Sequence, residues 1–107
     1  MTTFDKREEG FEAKFAHDEE LRFLALARRN KLLGAWAAGL MRKGGAEAEA
    51  YASSFVASDL LRAGNDRLVL KIVSDLKAQG IARSAPDVLA KMGELLAKAI
   101  ADIEAGH

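Results

Sequence analysis

The sequence predicts an all-α protein: a small antiparallel four-helix bundle with a long first helix and a mobile N-terminal arm. The chain is rich in alanine, contains a single proline and has few β-branched residues, which together favour helices. Apolar residues recur three and four positions apart in four segments. Short glycine-containing stretches separate these segments, and short connections make neighbouring helices antiparallel. At 107 residues the chain is long enough for one modest core.

We expect an arm over residues 1–17 and a bundle over residues 18–107, with helices at about 18–43, 46–63, 66–79 and 85–105. Each boundary has a local signal of a residue type that caps or ends helices. Asp18 is the expected N-cap of the first helix, and Gly44-Gly45 ends it. Asn65 or Asp66 caps the third helix, and Gly80 ends it. Ser84-Ala85-Pro86-Asp87 begins the fourth helix.

The first helix has an apolar surface wider than one face. We expect this whole surface to form core, above all in its part beyond Leu32. One stripe of it comprises Leu21, Leu24, Ala25, Arg28, Leu32, Ala35, Trp36, Gly39 and Leu40. A second set beside it comprises Phe23, Leu26, Leu33, Ala37 and Met41. At about 1.5 Å per residue the first helix would span roughly 39 Å and the third roughly 21 Å. The first helix should therefore overhang the bundle at the end that carries the arm.

The other three helices have simpler core stripes. We expect them to be Ala48, Tyr51, Ala52, Phe55 and Val56; then Val69, Ile72, Val73 and Leu76; and finally Val88, Leu89, Met92, Leu95, Leu96, Ala99, Ile100 and Ile103. Asp59 interrupts the stripe of the second helix. We interpret it as a carboxylate at the bundle edge that pairs with an arginine, with a polar site in the core as the alternative.

The arm carries three phenylalanines on one helical stripe, Phe4, Phe11 and Phe15. Gly10 lies between them and costs a helix about 1 kcal/mol relative to alanine. A segment that is amphipathic only when helical, and weak as a helix alone, is typical of segments that fold in a partner's groove. Folding back onto the bundle as a short helix explains the same stripe equally well.

Charge is balanced overall but unevenly distributed. Formal net charge is zero, which gives nucleic-acid binding no electrostatic support. Residues 1–22 carry four basic and seven acidic side chains, net −3, and residues 23–43 carry five basic and no acidic ones, net +5. Residues 44–107 carry seven basic and nine acidic side chains, net −2. This pattern favours orientation on a protein partner.

Several classes of function lack a sequence signal. The chain has no cysteine, which excludes disulfides and thiolate zinc sites. His17 stands beside three acids at a helix start, where we expect capping and no metal. No nucleophile–base pair, paired-carboxylate pattern or phosphate-binding glycine loop is present, so we expect neither an enzyme nor a cofactor. The longest apolar run, residues 32–41, is too short to span a bilayer, which needs about 20 residues. A cytoplasmic protein is expected.

Arg28, Arg29 and Lys31 form a short basic run on the first helix. Such runs are usually solvated faces, and that is the interpretation we favour. Two functional alternatives are a secondary contact with acidic groups of a protein partner and weak binding of a nucleotide phosphate.

Two segments carry a specific resemblance: FDKREEGFEAKFAHDEEL at residues 4–21 and ARRNKLLGAWAA at residues 27–38. With GAEAEAY at residues 45–51 and the last helix, they strongly resemble the zeta subunit family, the ATPase inhibitors of α-proteobacterial rotary ATP synthases. The resemblance covers essentially the whole chain. It implies a four-helix bundle whose mobile N-terminal region enters the catalytic head of the synthase, folds into a helix and blocks rotation in the hydrolytic direction.

The resemblance also implies a partner and a set of contact residues. The partner is the interface of the α, β and central γ subunits, and the protein would be peripheral to the inner membrane through the synthase. The implied contact residues are Phe4, Lys6, Arg7, Glu8, Phe11, Glu12, Lys14, Phe15 and His17. The alternative function is a small nucleotide-sensing bundle that uses Arg28, Arg29 and Lys31.

Overall fold

The computed structural model describes residues 17–57 and 64–106. They form four helices: α1 (Glu19–Leu40), α2 (Gly45–Ser54), α3 (Asn65–Ala78) and α4 (Ala85–Glu104). Helix α1 is the central element, because it contacts each of the other three, and α3 also packs against α4. The predicted all-α bundle is confirmed. Residues 1–16 of the arm predicted over residues 1–17 lie outside the described residues, and so does Asp59.

The main core lies among the C-terminal half of α1, the end of α2, helix α3 and the start of α4. Its buried residues are Leu33, Ala37, Phe55, Leu68, Val69, Ile72, Leu76, Val88 and Met92. A second, smaller cluster joins the start of α1 to the end of α4 through Ala25, Leu96 and Ile100. Since the start of α4 meets the end of α1 and the reverse, these two helices run antiparallel.

Three of the predicted boundary signals act as expected. The Asp18 side chain accepts a hydrogen bond from the backbone N–H of Leu21, at 3.1 Å. Ser84 and Asp87 form a reciprocal capping box at the start of α4. Gly80 has φ 77°, and the N–H of Ile81 reaches back to the carbonyl of Leu76, which ends α3 in the left-handed turn that glycine favours.

Three boundaries differ from the expectation. Helix α1 ends at Leu40 because Arg42 takes a left-handed conformation, φ 62°, and Lys43 N–H bonds to the carbonyl of Ala38. The stop therefore precedes the expected pair of glycines. The N-cap residue of helix α3 is Gly64, and no side chain caps the helix. The side chain of Asn65, which was predicted as a possible cap, accepts a hydrogen bond from Arg29 instead.

Helix α2 ends at Ser54, well before the predicted end at residue 63. Two hydrogen bonds explain this. The Ser54 hydroxyl donates to the carbonyl of Tyr51 at 2.7 Å. The amide of Asn30 donates to the carbonyl of Phe55 at 3.2 Å, which occupies the acceptor that a continuing helix would use. Residues 55–57 form a turn, and residues 58–63 lie outside the described part of the chain.

The predicted stripes of α2, α3 and α4 lie on the buried faces, with two exceptions: Leu89 is half-exposed, and Leu68 of α3 is buried although it was not predicted. The predicted core stripe of α1 was wrong in part. Leu24, Ala35 and Gly39 are exposed, and the buried residues are Ala25, Arg29, Asn30, Leu33, Gly34, Ala37 and Ala38. The reason is that α1 packs against helices on two sides, with a polar pair among its inward-facing residues.

Candidate functional site

The junction between the predicted arm and the bundle lies at the start of α1. Asp18 is extended, with φ −122° and ψ 105°, and caps the helix, so α1 does not continue toward the arm through this residue. Glu19 and Glu20 follow in the first turn, where the helix dipole stabilises negative charge. His17 is exposed just before the cap. It is the one residue of the predicted partner-contact set that the structure describes; Phe4, Lys6, Arg7, Glu8, Phe11, Glu12, Lys14 and Phe15 lie outside it.

The start of α1 is fixed to α4 by the smaller apolar cluster. Leu21, Leu26 and Ile103 pack against its buried residues, Ala25, Leu96 and Ile100. The expectation that α1 overhangs the bundle was wrong, because α4, with 20 residues, is nearly as long as the 22-residue α1 and its end packs against the start of α1. At the end of the bundle that carries the arm, the start of α1 therefore packs against the end of α4.

Arg28 reinforces this attachment. Its Nε lies 3.2 Å from Oδ2 of Asp102, which also lies 3.6 Å from Nζ of Lys98. Desolvation alone would raise the pKa of the Asp102 carboxyl, but the Arg28 hydrogen bond and the two positive charges outweigh it and lower this pKa below its usual value. The acid group is therefore held charged where it ties α4 to α1.

Arg29 is only 4% exposed, so the interpretation of the three cations as one solvated face was wrong for this residue. Its Nε and Nη2 donate to Oδ1 of Asn30 at 3.1 and 2.9 Å, and Nη2 also donates to Oδ1 of Asn65 at 3.0 Å. Since Asn30 in turn donates to the Phe55 carbonyl, the network joins α1, the end of α2 and the start of α3. It fixes the relative positions of three helices.

Lys31 points the other way, toward α2. Its Nζ lies 3.1 Å from Oε2 of Glu49, and both side chains are largely exposed. The hydrogen bond from Lys31, together with one from Ser53 and the Lys31 charge, lowers the pKa of Glu49. The three predicted cations therefore have three different environments, and the structure brings only Arg28 and Lys31 together.

Arg28 and Lys31 flank an open groove between α1 and α2, with a volume of about 650 Å³. The remaining lining is mostly small and apolar: Leu24, Ala27, Leu32, Ala35, Gly45, Ala48, Ala52 and Val56, with Glu49 on the α2 side. Gly34 allows this close approach of the two helices, since a Cβ there would lie 2.9 Å from the Cα of Ala52. Leu24 of the lining is 47% exposed, and its neighbour in the chain, Phe23, is 54% exposed.

Sequence reasoning did not predict that Asn30 and Asn65 take part in the hydrogen-bond network around Arg29. Asn30 stands in a basic run, and Asn65 looked like a cap, so neither had a local signal of burial or of a long-range bond. A weak signal existed: Asn30 lies three residues before Leu33 and four before Gly34, which places it on their face.

The described residues show neither a metal site nor a membrane span. No group of three or more histidine, aspartate or glutamate side chains among residues 17–57 and 64–106 could hold a metal ion. Within the same residues no helix combines the length and the hydropathy that crossing a membrane requires.

Comparison with known proteins gives one family. The family model described as ATPase inhibitor subunit zeta matches residues 1–102, which include the predicted arm and nearly all of the bundle. No curated protein matches the chain. A match over this much of the chain decides the family, and the family name describes a regulatory subunit of an ATP synthase, not an enzyme. The chain belongs to the ATPase inhibitor subunit zeta family.

Proposed function

We propose that this protein inhibits ATP hydrolysis by the rotary ATP synthase through its N-terminal segment. In this mechanism residues 1–17 enter the catalytic head as a helix at the interface of the α, β and γ subunits and block rotation in the hydrolytic direction. The protein acts on the cytoplasmic side, peripheral to the inner membrane through the synthase. The observation that carries the proposal is the family match, which begins at residue 1 and so includes the arm.

The geometry of the junction supports separate roles for the two parts of the chain: the arm binds the catalytic head, and the bundle holds the end of the arm in place. The Asp18 cap starts α1 independently of what precedes it, so the arm can change its conformation without unwinding α1. The cluster with Leu96 and Ile100 and the pair of Arg28 with Asp102 hold the start of α1 in place. Because the start of α1 is held in place, the end of the arm that joins it has less conformational entropy to lose on binding.

The physical basis of the block is differential binding. A helix that fills a cleft binds the open cleft and not the closed one, so its binding free energy opposes the closure that turnover requires. Phe4, Phe11 and Phe15 would supply the apolar anchors, because aromatic side chains dominate the energy of such interfaces. The charged residues between them would set register and orientation.

A matched pair of phenylalanine variants tests this proposal. Phe15→Ala should raise the concentration needed for half-inhibition of ATP hydrolysis about 30-fold, because truncation of an interface anchor costs at least about 2 kcal/mol. Phe23→Ala is the control, since Phe23 is also an exposed phenylalanine but lies on α1, outside the arm. Equal effects of the two substitutions would contradict the assignment of the anchors to the arm.

The alternative, a nucleotide-sensing bundle, remains a prediction with a smaller candidate site. Arg29 is buried in the network with Asn30 and Asn65, whereas Arg28 and Lys31 flank the groove between α1 and α2. If this alternative holds, Lys31→Ala should weaken binding of ATP measured by calorimetry on the isolated protein. If Lys31→Ala leaves the heat of ATP binding unchanged, this basic run is not the nucleotide site.

A further inference from the structure

The connection between α3 and α4 forms a notch at the end of the bundle opposite the arm. The notch has a volume of about 490 Å³, and its lining includes Val73, Lys77, Ile81, Ala82 and Arg83. It lies opposite the arm because the start of α4 packs against the end of α1 in the main core, whereas the arm joins the start of α1. Inhibition through the arm leaves this end of the bundle without a role.

The floor of the notch is apolar and is held by the core. Val73 and Ile81 are half-buried and pack against the main core cluster. The left-handed turn at Gly80 and the capping box of Ser84 with Asp87 determine the path of the chain between the two helices. The notch is therefore already formed in the free protein, and its concave floor has room for one large apolar side chain.

Two cations of the lining, Lys77 and Arg83, are exposed and form no ion pair within the described part of the chain. Each of the other described lysines pairs with a carboxylate; these are Lys31, Lys43, Lys71, Lys91 and Lys98. Asp87 also lines the notch, but its carboxylate accepts a hydrogen bond from the backbone N–H of Ser84. The rim of the notch thus presents positive charge that no described carboxylate pairs with.

The position of Arg83 is unfavourable for the fold. Arg83 lies one residue before Ser84, the N-cap of α4, and the positive end of the helix dipole at an N-terminus repels a cation. Lys77 lies in the last turn of α3, where the dipole attracts a cation. The fold therefore explains the charge of Lys77 but not that of Arg83, which a negatively charged partner would explain.

We propose that the notch binds an acidic segment of a protein partner, which inserts one large apolar side chain between Lys77 and Arg83. The rim selects acidic groups by charge, and the floor selects an apolar side chain. The concave shape favours a protein segment over a membrane, because a membrane surface is bound by apolar side chains that reach into it.

The inference goes beyond the proposed function, which uses the other end of the bundle. Helix α1, with 22 residues, spans about 33 Å and separates the notch from the arm. A chain whose arm occupies the catalytic head therefore keeps the notch available for a second partner.

Peptide titration followed by NMR tests the inference on the full chain. The probe is a short peptide of glutamates around one central phenylalanine, and the matched peptide has alanine at its centre. The phenylalanine peptide should shift the amide signals of Ile81, Ala82 and Arg83. It should bind at least about fivefold more tightly than the alanine peptide, because the floor buries its ring. Equal affinities, or shifts confined to α1 and α2, would overturn the inference.

A matched pair of arginine variants tests the charge of the rim. Arg83→Gln should weaken binding of the phenylalanine peptide about threefold to fivefold, because an exposed pair of opposite charges contributes up to about that factor. Arg67→Gln is the control, since Arg67 is an exposed arginine of α3 that also forms no ion pair in the described chain and lies outside the lining. Equal weakening by the two substitutions would show attraction by overall charge and would overturn the site.

A second pair of variants tests the floor. Ala82→Phe fills the notch, so the phenylalanine and alanine peptides should bind it equally, whereas Ala90→Phe on exposed α4 should preserve the difference. A difference that persists in Ala82→Phe overturns the inference.

Two further measurements separate this inference from a membrane site and from the proposed function. If vesicles containing phosphatidylglycerol bind the chain through Arg83 and the peptides do not bind, the occupant is a membrane and the inference is overturned. Arg83→Gln and Ala82→Phe should inhibit ATP hydrolysis as the unchanged chain does. A chain that binds the peptide but does not inhibit contradicts the proposed function alone, and inhibition without peptide binding overturns the notch alone.

Discussion

Gly34 marks the closest approach of α1 and α2, and replacing it tests the packing that shapes the groove. A Cβ at this position would lie 2.9 Å from the Cα of Ala52 and 3.0 Å from Cδ1 of Phe55. The Cα of Ala52 belongs to the backbone and cannot rotate away, so the two helices must separate. Overpacking of this kind costs about 1–3 kcal/mol. Alanine recovers about 1 kcal/mol of that through its higher helix propensity.

Gly93 is the matched control for Gly34→Ala. It lies inside α4, and a Cβ there has no atom within 4 Å, so Gly93→Ala should stabilise the fold by about 0.5–1 kcal/mol. Gly34→Ala should lower stability by up to about 2 kcal/mol, and the two variants should differ by the packing cost of about 1–3 kcal/mol. Equilibrium unfolding in urea measures both values. If Gly34→Ala stabilises the protein as much as Gly93→Ala does, the described contact between α1 and α2 is incorrect.

Three further substitutions test other parts of the fold. Asn30→Ala should cost about 2–3 kcal/mol in urea unfolding, because it leaves the buried Phe55 carbonyl without its donor; a loss below that of an exposed substitution would contradict the network. Ser84→Ala should cost about 1 kcal/mol by removing the capping box of α4, and an unchanged unfolding midpoint would refute that role. The Tyr51 hydroxyl donates a hydrogen bond to Asp75. Burial raises the pKa of the Tyr51 phenol most, and this hydrogen bond raises it further. Because the unfolded phenol ionises near pH 10 and the folded one does not, stability should fall as pH rises above about 10. Tyr51→Phe should lessen that alkaline loss, and an identical pH profile for the variant would count against the raised pKa.

The parts of the fold that depend on local sequence could be predicted, and those that depend on distant residues could not. The capping box at Ser84 and the glycine turn at Gly80 are determined within a few residues, and both are confirmed. The end of α2 depends on Asn30, which lies 25 residues away from its acceptor, so periodicity extended that helix too far.

The same distinction applies to the candidate site. Arg29 looked like part of a solvated basic run because its neighbours in sequence are basic, yet its bond to Asn65 spans 36 residues. The anchors Phe4, Phe11 and Phe15 show the opposite case. Their stripe is evident from spacing alone, but spacing left partner binding and fold-back equally open, and the family match supplied the inhibitory role.

The most direct test of the central claim is ATP hydrolysis by the isolated catalytic head in the presence of the full chain or of residues 17–107. Circular dichroism of the shortened chain provides the control that its four helices are retained. The arm mechanism predicts that the full chain inhibits hydrolysis and that the folded, shortened chain does not. Equal inhibition by the two chains would contradict it and would assign the inhibitory surface to the bundle.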